Sequence, residues 1–138
     1  MSHFSKVKTQ INDIQILKTV LEKFDYVFEE DPNHSGSIKI IGYAGQVHSA
    51  DLVVKTDNPD YTIGFEKQKD GNYSVVADWY GIKSIQNKKI NETTFKQNII
   101  KHYGFEKVKA SLPPHLKIIE SKGEKNQEVL TLKLKRIY

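Results

Sequence analysis

From Ser37 to Trp79 the apolar residues return at about every second position, and turn residues interrupt them at short intervals. Side chains spaced this way fall alternately on the two faces of a pleated strand, so this stretch is committed to sheet. Ser37–Tyr43 reads as one strand. After Gly45, Gln46–Lys55 reads as a second, with Val47, Leu52, Val53 and Val54 as its apolar content. Asn58-Pro59-Asp60 forms the next turn, and Tyr61, Ile63 and Phe65 share a face of the third strand. Asp70-Gly71 is a hairpin signal. It leads to Tyr73, Val75, Ala77 and Trp79 on one face of the fourth, so four antiparallel strands in succession are predicted.

Two segments change period. Ile14, Leu17, Val20, Leu21, Phe24 and Phe28 recur in steps of three and four, which predicts a helix reaching about Phe28, with Asn12 as its cap, Gln15 as capping-box partner and Ile11 and Ile16 as a hydrophobic staple. Asp31-Pro32-Asn33-His34-Ser35-Gly36 then makes a loop. A second helix opens at the cap Asn91 and carries Phe95, Ile99, Tyr103, Val108 and Leu112 before Pro113-Pro114 stops it. Gly104, inside it, marks a kink, a close contact or a break. Phe4 and Val7 point to a short first strand, residues 81–90 to a connection, and the tail to a strand from Leu116 to Ser121, a turn through Gly123, and a last strand from Glu128 to about Arg136. Leu130, Leu132 and Leu134 share one face of that last strand.

Runs of strands joined by short turns, with two amphipathic helices, give an α+β fold: a two-layer sandwich in which a mainly antiparallel sheet carries both helices on one face. Leu130, Leu132 and Leu134 are expected in its core, and the reverse face of the sheet is expected to be wet or offered to a partner. At 138 residues the chain supports one core, so residues 1–138 are read as a single domain.

The chain has no cysteine, which excludes disulfides, thiolate nucleophiles and cysteine-ligated zinc or iron–sulfur centres. No apolar run is long enough for a signal segment or a membrane span, so a cytoplasmic protein with no membrane partner is expected. The net charge is +4, but it is divided unevenly: residues 1–80 hold 8 Lys against 12 Asp and Glu, and residues 81–138 hold 13 Lys and Arg against 5. A basic second half can attract acidic partners.

Several blocks resemble a known family: Met1-Ser2-His3-Phe4-Ser5-Lys6-Val7-Lys8-Thr9-Gln10-Ile11, Gly42-Tyr43-Ala44-Gly45-Gln46, Ala50-Asp51-Leu52-Val53-Val54, Tyr61-Thr62-Ile63-Gly64-Phe65 and Tyr73-Ser74-Val75-Val76-Ala77-Asp78. In this order and spacing they are similar to the hypothetical-reading-frame family of red-algal chloroplast and cyanobacterial genomes, the domain of unknown function 1257. The resemblance implies a small soluble protein and, through bacterial neighbours that include ATPases of the AAA class, a role in a complex. It brings no reaction, cofactor or catalytic residue. The chain departs from the family pattern after Asp78, at Trp79-Tyr80-Gly81 and the lysine-rich stretch beyond, and again at Lys122-Gly123-Glu124-Lys125-Asn126, so a photosynthetic role is not implied.

Among candidate sites, Gly42-Tyr43-Ala44-Gly45 has the spacing of a phosphate-approaching loop. It joins two strands and lacks the following Lys-Ser/Thr, which favours a tight turn or bulge. Gly64 marks a bulge or a close approach of a helix residue to the sheet. The histidines fit no metal-binding frame; His48, Asp51 and Asp78 would be the set to assemble, so neither metal nor cofactor is expected. His48 with Asp51 would make a proton-transfer pair, although a strand places positions 48 and 51 on opposite faces and no nucleophile adjoins them. Tyr43, Tyr61, Tyr73, Trp79 and Tyr80 divide between core and contact surface. These points favour a non-enzymatic protein-interaction module, with Tyr43, Gln46, His48, Asp51, Asp78, Trp79 and Tyr80 as candidate contact residues. The alternatives are a nucleic-acid binder using Lys83, Lys88, Lys89, Lys96 and Lys101, and a small enzyme using His48, Asp51 or Asp78.

Overall fold

The computed structural model describes residues 4–58, 60–83, 90–122 and 130–136. Its elements run β1 (Phe4–Lys8), α1 (Ile14–Lys23), β2 (Phe28–Glu30), β3 (Ile38–Ile41), β4 (Val47–Ala50), β5 (Leu52–Lys55), β6 (Thr62–Lys67), β7 (Tyr73–Asp78), α2 (Trp79–Ile82), α3 (Glu92–Ala110), β8 (Leu116–Lys122) and β9 (Thr131–Arg136). This is an α+β fold built on an antiparallel five-stranded sheet in the order β1-β7-β6-β5-β2, with two separate hairpins, β3-β4 and β8-β9. Pro59, residues 84–89, the turn through Gly123 and the expected start of the last strand at Glu128 lie outside the described residues.

The helical face of the sheet is the larger core. Leu52, Val54, Ile63, Phe65, Tyr73, Val75 and Ala77 meet Leu17, Val20 and Leu21 of α1 and Phe95, Ile99 and Tyr103 of α3. Burying each of the Val, Leu, Ile and Phe side chains here is worth about 1.5–3 kcal/mol, so this layer dominates the apolar stabilisation of the fold. The Tyr103 hydroxyl ties the two helices together: it accepts from the backbone N–H groups of Asn12 and Asp13 and donates to Asn12 Oδ1.

Several expectations are corrected. Asp13, rather than Asn12, caps α1, because its Oδ1 accepts from the N–H groups of Gln15 and Ile16. The helix stops at Lys23 and not near Phe28: Asp25 takes a positive φ of 59°, and Phe28 joins the sheet as an edge strand opposite Val54. Asn91 does cap α3, accepting from Thr94 N–H. The strand expected over 46–55 breaks at Asp51 into β4 and β5, which belong to different sheets. The succession of four strands is therefore a hairpin followed by the meander β5-β6-β7.

That break places the β3-β4 hairpin over the reverse face of the sheet. Ile40 and Ala50 of the hairpin pack with Val53 and Val76 of the sheet, bordered by Phe4 and Ile38. The reverse face is thus covered at its centre by the hairpin, where an open surface was expected. Gly64 is the point of closest approach: a Cβ there would lie 3.0 Å from Ala50 Cβ and 3.2 Å from Ile40 Cδ1. The neighbour that requires glycine is a strand residue rather than the expected helix residue.

The C-terminal hairpin also departs from expectation. Leu130, Leu132 and Leu134 are not under the helices; Leu134 is 39% exposed, and Leu130 and Leu132 lie beside the outer surface of α3. Alternation identified an apolar strand face but not the surface it would meet, and the helical side of the sheet is already filled by α1 and α3.

His102 of α3 is fully buried, with its ring edge-on to Phe24 at 4.8 Å, and neither ring nitrogen has a hydrogen-bond partner among the described residues. Burial, reinforced by Lys23 and Lys101 and opposed by Glu106, pushes its pKa down from 6.5 to about 4. The unfolded chain therefore takes up a proton that the folded chain refuses, so this contribution is intact above pH 6.5 and is lost as pH falls towards 4. His102→Leu is expected to flatten the fall in stability between pH 7 and 4.5 by about 2 kcal/mol, read from urea denaturation at each pH. An unchanged pH profile would show that His102 does not titrate in this environment.

Candidate functional site

The turn between β3 and β4 is built from Gly42-Tyr43-Ala44-Gly45-Gln46. Gly42 N–H donates to the Gln46 carbonyl at 2.7 Å, Gly45 takes a φ of +83°, and Ala44 N–H donates to Gln46 Oε1 at 3.1 Å. Gly42 is buried, and a Cβ on it would fall 2.7 Å from Gln46 Oε1 and 3.1 Å from Asp78 Oδ2. The motif is therefore a closed hairpin turn, as its position between strands predicted.

Asp78 fastens this turn to the main sheet. Its side chain, in a residue only 2% exposed, accepts Tyr43 N–H on Oδ2 at 2.6 Å and Gly81 N–H on Oδ1 at 3.0 Å. The second bond caps α2, and so ends β7 one residue before Trp79. A buried carboxylate must be compensated by donors, and here two backbone groups from different elements supply them. Gly81 also lies against the Tyr61 ring, with room for no side chain: a Cβ would be 2.7 Å from Tyr61 Cε1. Asn58 Nδ2 donates to the Gly81 carbonyl at 3.1 Å and completes the support.

The result is a group of three tyrosines. The Tyr43 and Tyr61 rings are stacked at 6.5 Å, and Tyr43 meets Tyr80 edge to face at 4.8 Å. Tyr43 is 50% exposed and Tyr80 48%, with Tyr61 half-buried between the turn and Gly81. Burial, followed by the charges of Asp60 and Asp78 and the neighbouring Tyr43, raises the Tyr61 phenol above its usual pKa, so it remains a neutral donor at physiological pH.

The other candidates divide. Trp79 is core, with its ring 5.9 Å from Phe95, and Tyr73 is buried in the same cluster. His48 does not pair with Asp51; its Nε2 contacts Glu66 Oε2, and its ring lies 5.8 Å from Phe4. Glu66 also accepts from Lys6 at 3.1 Å and Gln68 at 3.0 Å. Burial pushes the Glu66 carboxyl up, but the bonds from Gln68, Lys6 and His48 outweigh it and hold its pKa below the usual value. Asp51 is buried at the far end of β4 and accepts Gly36 N–H and Lys67 N–H at 2.9 and 2.7 Å. His48, Asp51 and Asp78 therefore serve three separate sets of partners. Both carboxylates are buried and occupied by backbone N–H groups, and no set of three or more metal-ligating side chains occurs among the described residues.

The lysines do not form one stripe. Lys83 ends α2, Lys96 pairs with Glu92 at 2.7 Å, and Lys101, five positions along α3 from Lys96, is turned from it by roughly 140°. Lys88 and Lys89 lie outside the described residues. A polar chain that sequence reasoning did not find runs from buried Tyr73, whose hydroxyl is 3.2 Å from His34 Nδ1, through His34 Nε2 to Glu30 Oε2 at 3.5 Å. His34 has a φ of +49°, and its place in a Pro-Asn-His-Ser-Gly loop was the available signal.

A model of the family described as Protein of unknown function (DUF1257) matches residues 20–130. The chain belongs to this family. The matched span contains Tyr43, Gln46, Tyr61, Asp78 and Tyr80, so the tyrosine group and its supports lie within the DUF1257 region. Among curated proteins, "Uncharacterized protein ycf35" of Pyropia yezoensis is 37% identical over 78 residues, which is 56% of this chain and 56% of the relative. The match thus spans little more than half the length of that relative. No solved structure matches the chain. No helix among the described residues is long and apolar enough to cross a membrane.

Proposed function

We propose that this DUF1257 protein is a non-enzymatic interaction module, an accessory subunit that binds a partner protein through Tyr43, Tyr61 and Tyr80. The centre of the reverse sheet face is covered, so the reading rests on one observation: three tyrosines, two of them half-exposed, are in ring contact beside a buried carboxylate that fixes the turn carrying Tyr43 to the cap of the helix carrying Tyr80. Tyrosine suits this role because its rigid ring offers apolar area and its hydroxyl a polar tip at small entropic cost. His48, Asp51 and Asp78 are apart and engaged, which favours binding over catalysis. An ATPase of the AAA class is the first partner to try, on the strength of the family resemblance.

The test is a Tyr43→Ser/Tyr80→Ser double variant. Both rings are half-exposed, so stability is expected to change by less than about 1 kcal/mol. Recovery of the partner that the wild-type protein retains from its native cell, identified by mass spectrometry and confirmed by light scattering with the purified pair, is expected to fall by more than tenfold. Equal recovery by the folded double variant would overturn the reading.

A further inference from the structure

Gly104 sits inside α3, where glycine costs about 1 kcal/mol relative to alanine. Nothing among the described residues requires it. The helix runs unbroken from Glu92 to Ala110, Gly104 has no positive φ, and a Cβ there would meet no atom of the described residues beyond its own helix backbone within 4 Å. One turn to either side, Ile100 and Val108 are each 50% exposed. Ile100, Gly104 and Val108 thus form an i, i+4, i+8 row with a dip at its centre, the geometry into which the ridge of a second helix fits.

The row separates two grooves. One, of about 540 Å³, lies towards the β1–α1 connection; the other, of about 630 Å³, lies towards Leu130 and Leu132. Ile100 and Gly104 line both. Among the described residues the charged side chains that line the grooves are all lysines, Lys8 and Lys107 at the first and Lys101 at the second. Glu106, the acidic residue nearest in sequence on α3, is engaged by Lys23 at 3.4 Å and Lys109 at 3.7 Å and lines neither groove.

We infer that this trough is a docking site for an acidic amphipathic helix of a partner protein, which crosses α3 at Gly104, buries its apolar stripe on Ile100, Val108 and Leu132, and sets its carboxylates against Lys8 and Lys107. Charge selects this occupant. A second copy of the chain laid across the same row would bring lysines against lysines, whereas acidic flanks complement the rim. The site is separate from the tyrosine group and does not depend on it.

The probe is a labelled designed peptide of about 18 residues with leucine and alanine at helical spacing and glutamate flanks, compared with a lysine-flanked twin and a scrambled sequence. Fluorescence anisotropy with the full chain is expected to show the glutamate peptide binding at least tenfold more tightly than either control. Amide shift changes are expected to centre on Ile100, Gly104 and Val108. Gly104→Leu fills the dip from a Cβ that meets no atom of the described residues beyond its own helix backbone within 4 Å, and should weaken binding about tenfold while circular dichroism stays unchanged. Lys8→Glu/Lys107→Glu should transfer the preference to the lysine-flanked peptide. The Tyr43→Ser/Tyr80→Ser variant should bind as wild type, which separates this site from the tyrosine surface. Equal binding of all three peptides, or undiminished binding by Gly104→Leu, would overturn the inference. So would a dimer that Gly104→Leu abolishes, or binding to phosphatidylserine vesicles in preference to the peptide.

Discussion

Asp78→Ala is expected to lower the unfolding free energy by about 3 kcal/mol, because it removes a buried carboxylate from two backbone N–H groups that it holds in different elements. Hydrogen bonds to a charged acceptor are worth about 1.5–3 kcal/mol each, and here one of them is also the cap of α2. The loss should not be confined to stability. Tyr43 and Gly81 are positioned by the two carboxylate oxygens, so their separation should remove the ring contact between Tyr43 and Tyr80, seen as lost cross-peaks between the two side chains in an NMR spectrum. Asp78→Asn keeps the volume and one acceptor but turns an amide N–H towards a backbone N–H, so it should fall between wild type and alanine. Urea denaturation decides the matter: a loss below about 0.5 kcal/mol in Asp78→Ala would show that the turn is held by something else.

Gly64→Val is expected to cost about 3 kcal/mol, and Gly64→Ala about 1 kcal/mol, by forcing the β3-β4 hairpin away from the sheet. The Cβ of either variant would press on Ala50 and Ile40, two apolar side chains that close the smaller core together with Val53 and Val76. The contact with Ala50 provides an internal control. Ala50→Gly alone should destabilise, but combined with Gly64→Ala it should return part of the loss, since one methyl group then occupies the space of the other. A double-mutant cycle measures this coupling, and strict additivity of the two substitutions would mean that these residues do not touch.

Two other carboxylates, Asp31 and Glu66, behave alike with pH. Asp31 accepts from the N–H groups of Ser37, Asn33 and Ser35, and these bonds, led by that from Ser37, outweigh its burial and hold its carboxyl well below the usual range. Glu66 is lowered in the same sense. A carboxyl with a depressed folded pKa stabilises the fold above its unfolded pKa, and that contribution is lost on acidification. Both therefore act in the same direction as His102, and this protein should lose stability steadily below neutral pH.

The local parts of the fold were legible because they depend on neighbours in the chain. Asn91 and Thr94 are three residues apart, and the stripe Leu17, Val20, Leu21 is defined by helical pitch alone, so a cap and a buried face followed from spacing. Glycine at position 71 marked its hairpin for the same reason: a φ of +87° is a local demand. The α1 boundary was less accessible. Asn12 and Asp13 are both good caps, and the choice went to Asp13 when Asn12 was drawn to Tyr103 and Lys107, some ninety residues away.

The candidate site shows the same division. That Tyr43, Tyr61 and Tyr80 carry large rings with polar tips was plain from residue type, as was the tight turn at Gly42–Gln46. That Asp78 would face inward and join Tyr43 to Gly81, that His48 would meet Glu66 instead of Asp51, and that Trp79 would be buried while the adjacent Tyr80 stayed half-exposed were not. Periodicity reports which side chains share a face and which backbone positions must turn, because those follow from bond geometry over a few residues. It is silent on which surface covers that face. The β3-β4 hairpin folding over Val53 and Val76, and the C-terminal leucines settling beside α3, were decided by competition between apolar surfaces distant in the chain, a choice that only packing in three dimensions makes.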